Sequence, residues 1–159
     1  MDLLIGLDVG TTGTKAIAFD PEGHLVASAT KQYGLLTPEP GWVEQDPLEL
    51  WDAVVATLRA VAGQIDPADR VIAITQSSQG GTTIPVDAEF RPTYNAISWM
   101  DGRGEAEQAY LRTTFGAERL YRLTGWKVMP ALPLVMVLAD GENPLRTRIT
   151  RRPRLRSRG

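Results

Sequence analysis

Leu3-Leu4-Ile5-Gly6-Leu7-Asp8-Val9-Gly10-Thr11-Thr12-Gly13-Thr14-Lys15-Ala16-Ile17-Ala18-Phe19-Asp20 decides how the rest of this sequence is read. Two apolar runs of β character flank a turn of glycine and threonine; a carboxylate closes the first run and a lysine opens the second. That is the make-up of a β-hairpin built to handle phosphate. Glycines let the backbone approach an anion and adopt positive φ, threonines add hydroxyl donors, and a carboxylate beside phosphates needs a divalent cation to offset repulsion. Asp8 therefore reads as a magnesium-facing residue. The Gly-x-x-x-x-Gly-Lys-Ser/Thr spacing is missing and a strand pattern follows where a P-loop needs a helix, so the turn is not of Walker type.

Working outward, Leu3–Val9, Lys15–Phe19 and Leu25–Thr30 read as strands of a meander, with Pro21-Glu22-Gly23 as a turn. Asp46-Pro47-Leu48-Glu49 offers an N-cap carboxylate, a proline at the first helical position and a glutamate at the third. The helix then carries Leu48, Trp51, Val55, Leu58 and Ala62 at helical spacing, and Gly63 suits its end. Val71–Thr75 is short and almost wholly apolar, as expected of a buried parallel strand reached by a crossover. A hydrogen-bonding loop, Gln76 to Thr83, leaves its carboxyl end, where ligand sites of α/β sheets gather. A strand at Thr83–Val86, a helix from about Glu105 and a short helix over Glu118–Gly125 follow.

Three stretches in order carry a resemblance: the hairpin, then Pro40-Gly41-Trp42-Val43-Glu44-Gln45-Asp46-Pro47, then Ile97-Ser98-Trp99-Met100-Asp101-Gly102-Arg103 preceded by Ile72 to Gln79. Together they resemble the FGGY carbohydrate kinases, the family of glycerol kinase, xylulokinase and gluconokinase, over roughly Leu3 to Gly125. The resemblance implies an α/β, ribonuclease-H-like mixed sheet of the actin-like ATPase superfamily, here a partial N-terminal domain of a two-domain kinase. It implies ATP-dependent phosphorylation of a sugar or polyol with Mg²⁺, and a cytoplasmic setting. Asp8, Gly10, Thr11, Thr12, Gly13, Thr14 and Lys15 match the phosphate side. Lys15 either neutralises phosphate charge or covers the hairpin. Gln79, Trp99, Asp101 and Arg103 match the polyol side, Trp99 offering an apolar face to sugar C–H groups, Asp101 accepting from hydroxyls, and Arg103 holding that carboxylate or else pairing with Glu107 on the surface. Glycerol kinases resemble one another in an Arg-Glu pair after the glutamine and xylulokinases in Met-His-Gly; Gly80-Gly81-Thr82 fits neither. The catalytic aspartate and the adenosine-binding segments of the family lie downstream of everything here, so no catalytic residue is assigned.

Composition divides the chain. Of 17 basic groups seven, all arginines, follow Leu145, leaving ten against 19 acids before it: −9 for residues 1–145 and +7 for residues 146–159. The first part reads as the partial kinase domain and the second as a disordered, arginine-rich tail of the kind that out-of-frame translation of a GC-rich gene produces. An apolar fraction of 43% argues for a folded core, and the absence of cysteine excludes disulfides and thiolate metal sites. The single His24 is expected to face solvent in a hairpin. No basic n-region or membrane-length apolar run appears, so no membrane partner is expected. The leading expectation is an inactive truncated kinase fragment whose full-length family leaves room for a homo-oligomer. The alternatives are a non-catalytic sugar-binding or regulatory module, and a basic-tailed protein associated with nucleic acid, the latter disfavoured by an acidic body and a tail without aromatics.

Overall fold

A computed structural model describes residues 1–133, 135 and 136. In chain order its elements are β1 (Asp2–Val9), β2 (Gly13–Phe19), β3 (Leu25–Gln32), β4 (Glu44–Gln45), α1 (Pro47–Ala62), β5 (Arg70–Ser78), β6 (Ala96–Ile97), α2 (Glu105–Leu111), one π-helical turn (Arg112–Gly116) and α3 (Ala117–Thr124). They fall into two compact units, one of Met1–Gly34 with Leu48–Gln79, the other of Leu35–Pro47 with Gly80–Gly159. The arginine-rich tail lies outside the described residues.

The first unit is a four-stranded mixed sheet in the order β3-β2-β1-β5. The meander pairs antiparallel, and β5 returns parallel to β1 after α1. Alternation puts Ile5, Leu7, Ala16, Ala18 and Ala27 on one face, where they form a buried cluster with Val61 of α1. The small alanines let the helix lie close to the sheet. The buried stripe of α1 is Leu50, Ala53, Thr57 and Val61; of the expected set Leu58 packs against the cluster, whereas Leu48 and Trp51 face out. Thr57 can take a core position because its hydroxyl donates to the Ala53 carbonyl at 2.9 Å, so no polar group is left bare.

A second correction concerns β5. It is parallel, as its apolar character suggests, but it is not buried: Ile72 is 50% and Ile74 57% exposed. Among the described residues it is the edge of the sheet, with β1 as its one strand neighbour. His24 is solvent-facing as expected, 78% exposed, its Nδ1 2.8 Å from Asp20 Oδ2.

In the second unit β4 pairs antiparallel with β6, Glu44 opposite Ile97 and Gln45 opposite Ala96. The expected Thr83–Val86 strand is reduced to isolated bridges, Thr83 with Ile97 and Val86 with Pro92. Pro85 between them has no N–H for a continuous ladder. Two apolar clusters follow, one of Leu111, Leu120, Val128, Leu132 and Val135, the other of Tyr94, Ile97 and Met136. Gly104, before α2, is tightly packed against the chain that follows α3: a Cβ there would fall 2.3 Å from the Pro130 carbonyl oxygen. α3 ends on Gly125 at φ 73°, whose amide donates to the Tyr121 carbonyl.

Candidate functional site

The Gly10-Thr11-Thr12-Gly13 turn joins β1 to β2 at the end of the open face of the first unit's sheet. Asp8 stands directly opposite Lys15 across the β1–β2 pair and beside Ser77 of β5. Both Asp8 and Lys15 are exposed, and with Gly6, Ile17, Phe19 and Thr75 they line a groove of about 290 Å³. One rung further, alternation reverses the direction. Thr14, expected among the phosphate residues, is 0% exposed and donates its hydroxyl to Tyr33 Oη at 3.3 Å on the buried side. Tyr33 in turn donates to the Gly10 carbonyl at 2.6 Å and its amide to the Thr12 carbonyl at 3.2 Å. Tyr33 thus braces the turn from beneath, a role that sequence spacing gave no sign of.

The two turn glycines act differently from expectation as well. Neither Gly10 nor Gly13 has a positive φ. Each sits in close packing: a Cβ on Gly10 would lie 3.2 Å from the Gly13 carbonyl oxygen, and one on Gly13 3.0 Å from that of Lys31. The donor set around Asp8 suits magnesium, which is commonly held by one or two carboxylates together with the phosphates it accompanies. Among the described residues no group of three or more acidic, histidine or cysteine side chains forms a metal cage of its own.

Gln79 belongs to the first unit, where its amide donates to the Val9 carbonyl at 3.0 Å and extends the β1–β5 ladder. The other polyol-side residues come together in the second unit. Trp99 is 43% exposed at the head of a turn closed by Asp101 N donating to the Ser98 carbonyl at 3.0 Å. Asp101 and Arg103 point inward. Arg103 donates from Nε to Asp101 Oδ1 at 2.8 Å, and from Nη2 to Asp101 Oδ2 at 2.8 Å and to Glu44 Oε1 at 2.7 Å. Asp101 Oδ2 also accepts from the Val43 amide at 2.6 Å. Glu44 accepts further from Tyr94 Oη at 2.8 Å and Asn95 Nδ2 at 2.7 Å, and the Trp42 ring lies 3.8 Å from the guanidinium carbon.

Of the two readings of Arg103, the network has the one in which it grips the Asp101 carboxylate with two prongs, and it corrects the other. The Arg103 side chain is 1% exposed, so the surface pair with Glu107 is replaced by a buried one with Glu44 and Asp101. Asp101 spends its carboxylate on Val43 and Arg103. Burial works to lower the Arg103 pKa, yet the hydrogen bonds and charge of Asp101 and Glu44 outweigh it and raise it. Tyr94 is pushed up first by burial and then by the carboxylate it donates to. Two carboxylates facing one guanidinium need these extra donors, since a buried carboxylate without them is costly. Sequence reasoning missed Glu44, Tyr94 and Asn95; Glu44 lay inside a quoted motif, but nothing in its spacing showed that it meets Arg103.

A mixed sheet that opens with a three-stranded meander, carries a glycine-threonine turn on its first hairpin and returns through a helix to a parallel strand defines the start of an actin-like ATPase domain of the sugar-kinase type. The sequence profile of the FGGY family of carbohydrate kinases, N-terminal domain, matches residues 3–139, and the chain belongs to that family. It is 46% identical over 106 residues to a glycerol kinase of Aquifex aeolicus, covering 66% of this chain and 21% of that one. It is 38% identical over 133 residues to a glycerol kinase of Ralstonia nicotianae, covering 82% and 26%. Among solved structures, a ligand-bound xylulose kinase of Lactobacillus acidophilus superposes with a TM-score of 0.84 at 29% identity, over 96% of this chain and 30% of that one. A gluconate kinase of the same organism gives 0.83 at 29% identity, over 96% and 30%. The chain spans about a quarter of the length of the curated relatives it matches. No helix among the described residues is long and apolar enough to cross a membrane.

Proposed function

We propose that this chain supplies the phosphate-facing hairpin and part of the polyol site of an ATP-dependent carbohydrate kinase, a cytoplasmic reaction. The observation that carries the reading is the exposed Asp8–Lys15 pair on the open face, beside a glycine-threonine turn braced by Tyr33. In the reaction a polyol hydroxyl attacks the γ-phosphorus of ATP in line, the bond to the β-bridging oxygen breaks, and the hydroxyl proton passes to a general base.

The chain's own residues would hold and orient. Lys15 neutralises phosphate charge, while Thr11 and Thr12 hydroxyls and the turn amides donate to phosphate oxygens. Asp8 would carry Mg²⁺, which when bound offsets the charge on the phosphates. Trp99, in the second unit, would take the apolar face of the polyol. Asp101 and Arg103 serve by fixing the loop that presents Trp99.

Asp8→Ala, made in a catalytically active protein that carries this hairpin, should abolish formation of sugar phosphate from ATP and a polyol. Turnover that survives the substitution would overturn the reading.

A further inference from the structure

Tyr33 follows directly on β3 and is buried. Its hydroxyl meets that of Thr14, whose neighbour Lys15 is exposed on the open face, so alternation along β2 puts the phenol on the opposite, buried side. There it accepts from the Thr14 hydroxyl at 3.3 Å and donates to the Gly10 carbonyl at 2.6 Å. Donors linked in this way polarise and strengthen one another. Elsewhere in the turn the Thr12 carbonyl accepts from the Tyr33 amide at 3.2 Å, and the Gly13 carbonyl from the Gly10 amide at 3.0 Å. Oxygens that would repel a phosphate are thus held by donors of the chain itself.

Of these three contacts only the one to Gly10 is made by a side chain. A peptide unit is planar and trans, so its C=O and N–H point opposite ways. Drawing the Gly10 oxygen to the buried side turns the Thr11 N–H toward the face that carries Asp8 and Lys15. Gly10 does not fix that choice by itself, because without a Cβ it tolerates either orientation of the peptide that follows it. The flipped orientation would aim a carbonyl oxygen at the phosphates.

We propose that Tyr33 is a positioning residue for nucleotide binding: its hydroxyl selects the orientation of the Gly10–Thr11 peptide that presents an N–H to the phosphates of ATP. The inference rests on the kinase reading and adds to it a residue outside the glycine-threonine turn. Tyr33 touches no phosphate. It acts by keeping the turn in its binding-competent form, and a turn that spends part of its time flipped binds more weakly in proportion.

The test is ¹⁵N–¹H NMR of the full 159-residue chain and of Tyr33→Phe, each titrated with Mg-ATP. In the native chain the nucleotide should shift the Thr11, Thr12 and Gly13 amides. Tyr33→Phe should need roughly tenfold more nucleotide for the same shift, the effect of one hydrogen bond, while the Ala18 and Val61 signals of the core stay in place. A tyrosine that only held the fold would lower the unfolding midpoint and leave the affinity of the folded chain unchanged. If Tyr33→Phe unfolds, a ring-fluorinated tyrosine at position 33, whose phenol ionises nearer neutrality, decides in its place. Nucleotide affinity should then drop as that phenol loses its proton, through a pH range in which the native chain is constant; an affinity that does not drop would overturn the proposal. Equal affinities of the native chain and a folded Tyr33→Phe would also overturn it and leave the kinase reading standing. A native hairpin whose amides ignore Mg-ATP would bring down both the role of Tyr33 and the phosphate role of the hairpin.

Discussion

Arg103 Nη2 and Glu44 Oε1 lie 2.7 Å apart, each side chain 1% exposed, although 59 residues separate them in sequence. The pair ties the Trp42–Gln45 segment to the turn that presents Trp99. Removing Arg103 leaves two buried carboxylates facing each other, so Arg103→Ala should cost roughly 3–5 kcal/mol, the range for breaking a buried pair from one side. Glu44→Gln keeps the shape and leaves Asp101 as partner, and should cost less, about 1.5–3 kcal/mol for a charged hydrogen bond. Urea unfolding measures both. Equal, sub-kilocalorie losses would mean that the network does not hold the loops.

Alkaline titration offers a second check. Tyr94 stays protonated in the folded chain above its ordinary value of 10.0, so the folded state binds the proton more tightly than the unfolded one. Its contribution is fully present below pH 10 and is lost as pH rises through the raised folded value. The stability gap between the native chain and Tyr94→Phe should therefore be constant from pH 7 to 9 and shrink above 10. A gap that widens with alkali would contradict the proton sitting between Tyr94 and Glu44.

Asp8 is exposed on the open face, so its loss should not touch the core. In a full-length relative, the Asn substitution at the position matching Asp8 should remove most kinase activity and leave the melting temperature within a degree or two, since surface changes fall within about ±0.5 kcal/mol. An active but destabilised variant would return Asp8 to a structural role.

Gly104 makes the opposite prediction. Its missing Cβ is what allows the Pro130 carbonyl and the Val135 side chain to pack against the start of α2, the latter only 2.6 Å from the ideal Cβ position. Gly104→Ala should cost on the order of 1–3 kcal/mol, as overpacking does, and expose the Leu111–Leu120–Val135 cluster to a hydrophobic dye. A neutral variant would show that the segment can move aside freely.

Ile72 and Ile74 sit on an edge strand, the arrangement that most readily recruits a second chain. The concentrated protein should self-associate, and Ile72→Lys with Ile74→Lys should shift it toward monomer in light scattering without loss of β signal. Unchanged association would place the sticky surface elsewhere.

How much of this the sequence foretold depends on how local each feature is. The hairpin, α1, α3 and the parallel relation of β5 to β1 all follow from periodicity and turn chemistry within short windows. The α1 face was misread at Trp51 and Leu48, which are more apolar than Ala53 and Thr57 yet face out, while Val54, Leu58 and Val61 pack against the cluster of Ala16, Ala18 and Ala27. Thr14 was misplaced because composition cannot say which way one rung points until the register Asp8 opposite Lys15 is known. The grip of Arg103 on Asp101 was legible because the two lie two residues apart, whereas the outward role of Asp101 and the surface alternative for Arg103 failed because Glu44, which completes the buried network, lies on another loop.

The sheet order also sets a sequence of events. β1, β2 and β3 are neighbours along the chain and can zip as two hairpins within microseconds, but β5 must find β1 across a gap that puts Asp2 opposite Arg70. Every contact on that side closes a long loop before it returns anything. A chain emerging from the ribosome would therefore present a finished phosphate turn, Tyr33 already locked beneath it, while the strand that carries Gln79 to its edge is still searching for its place.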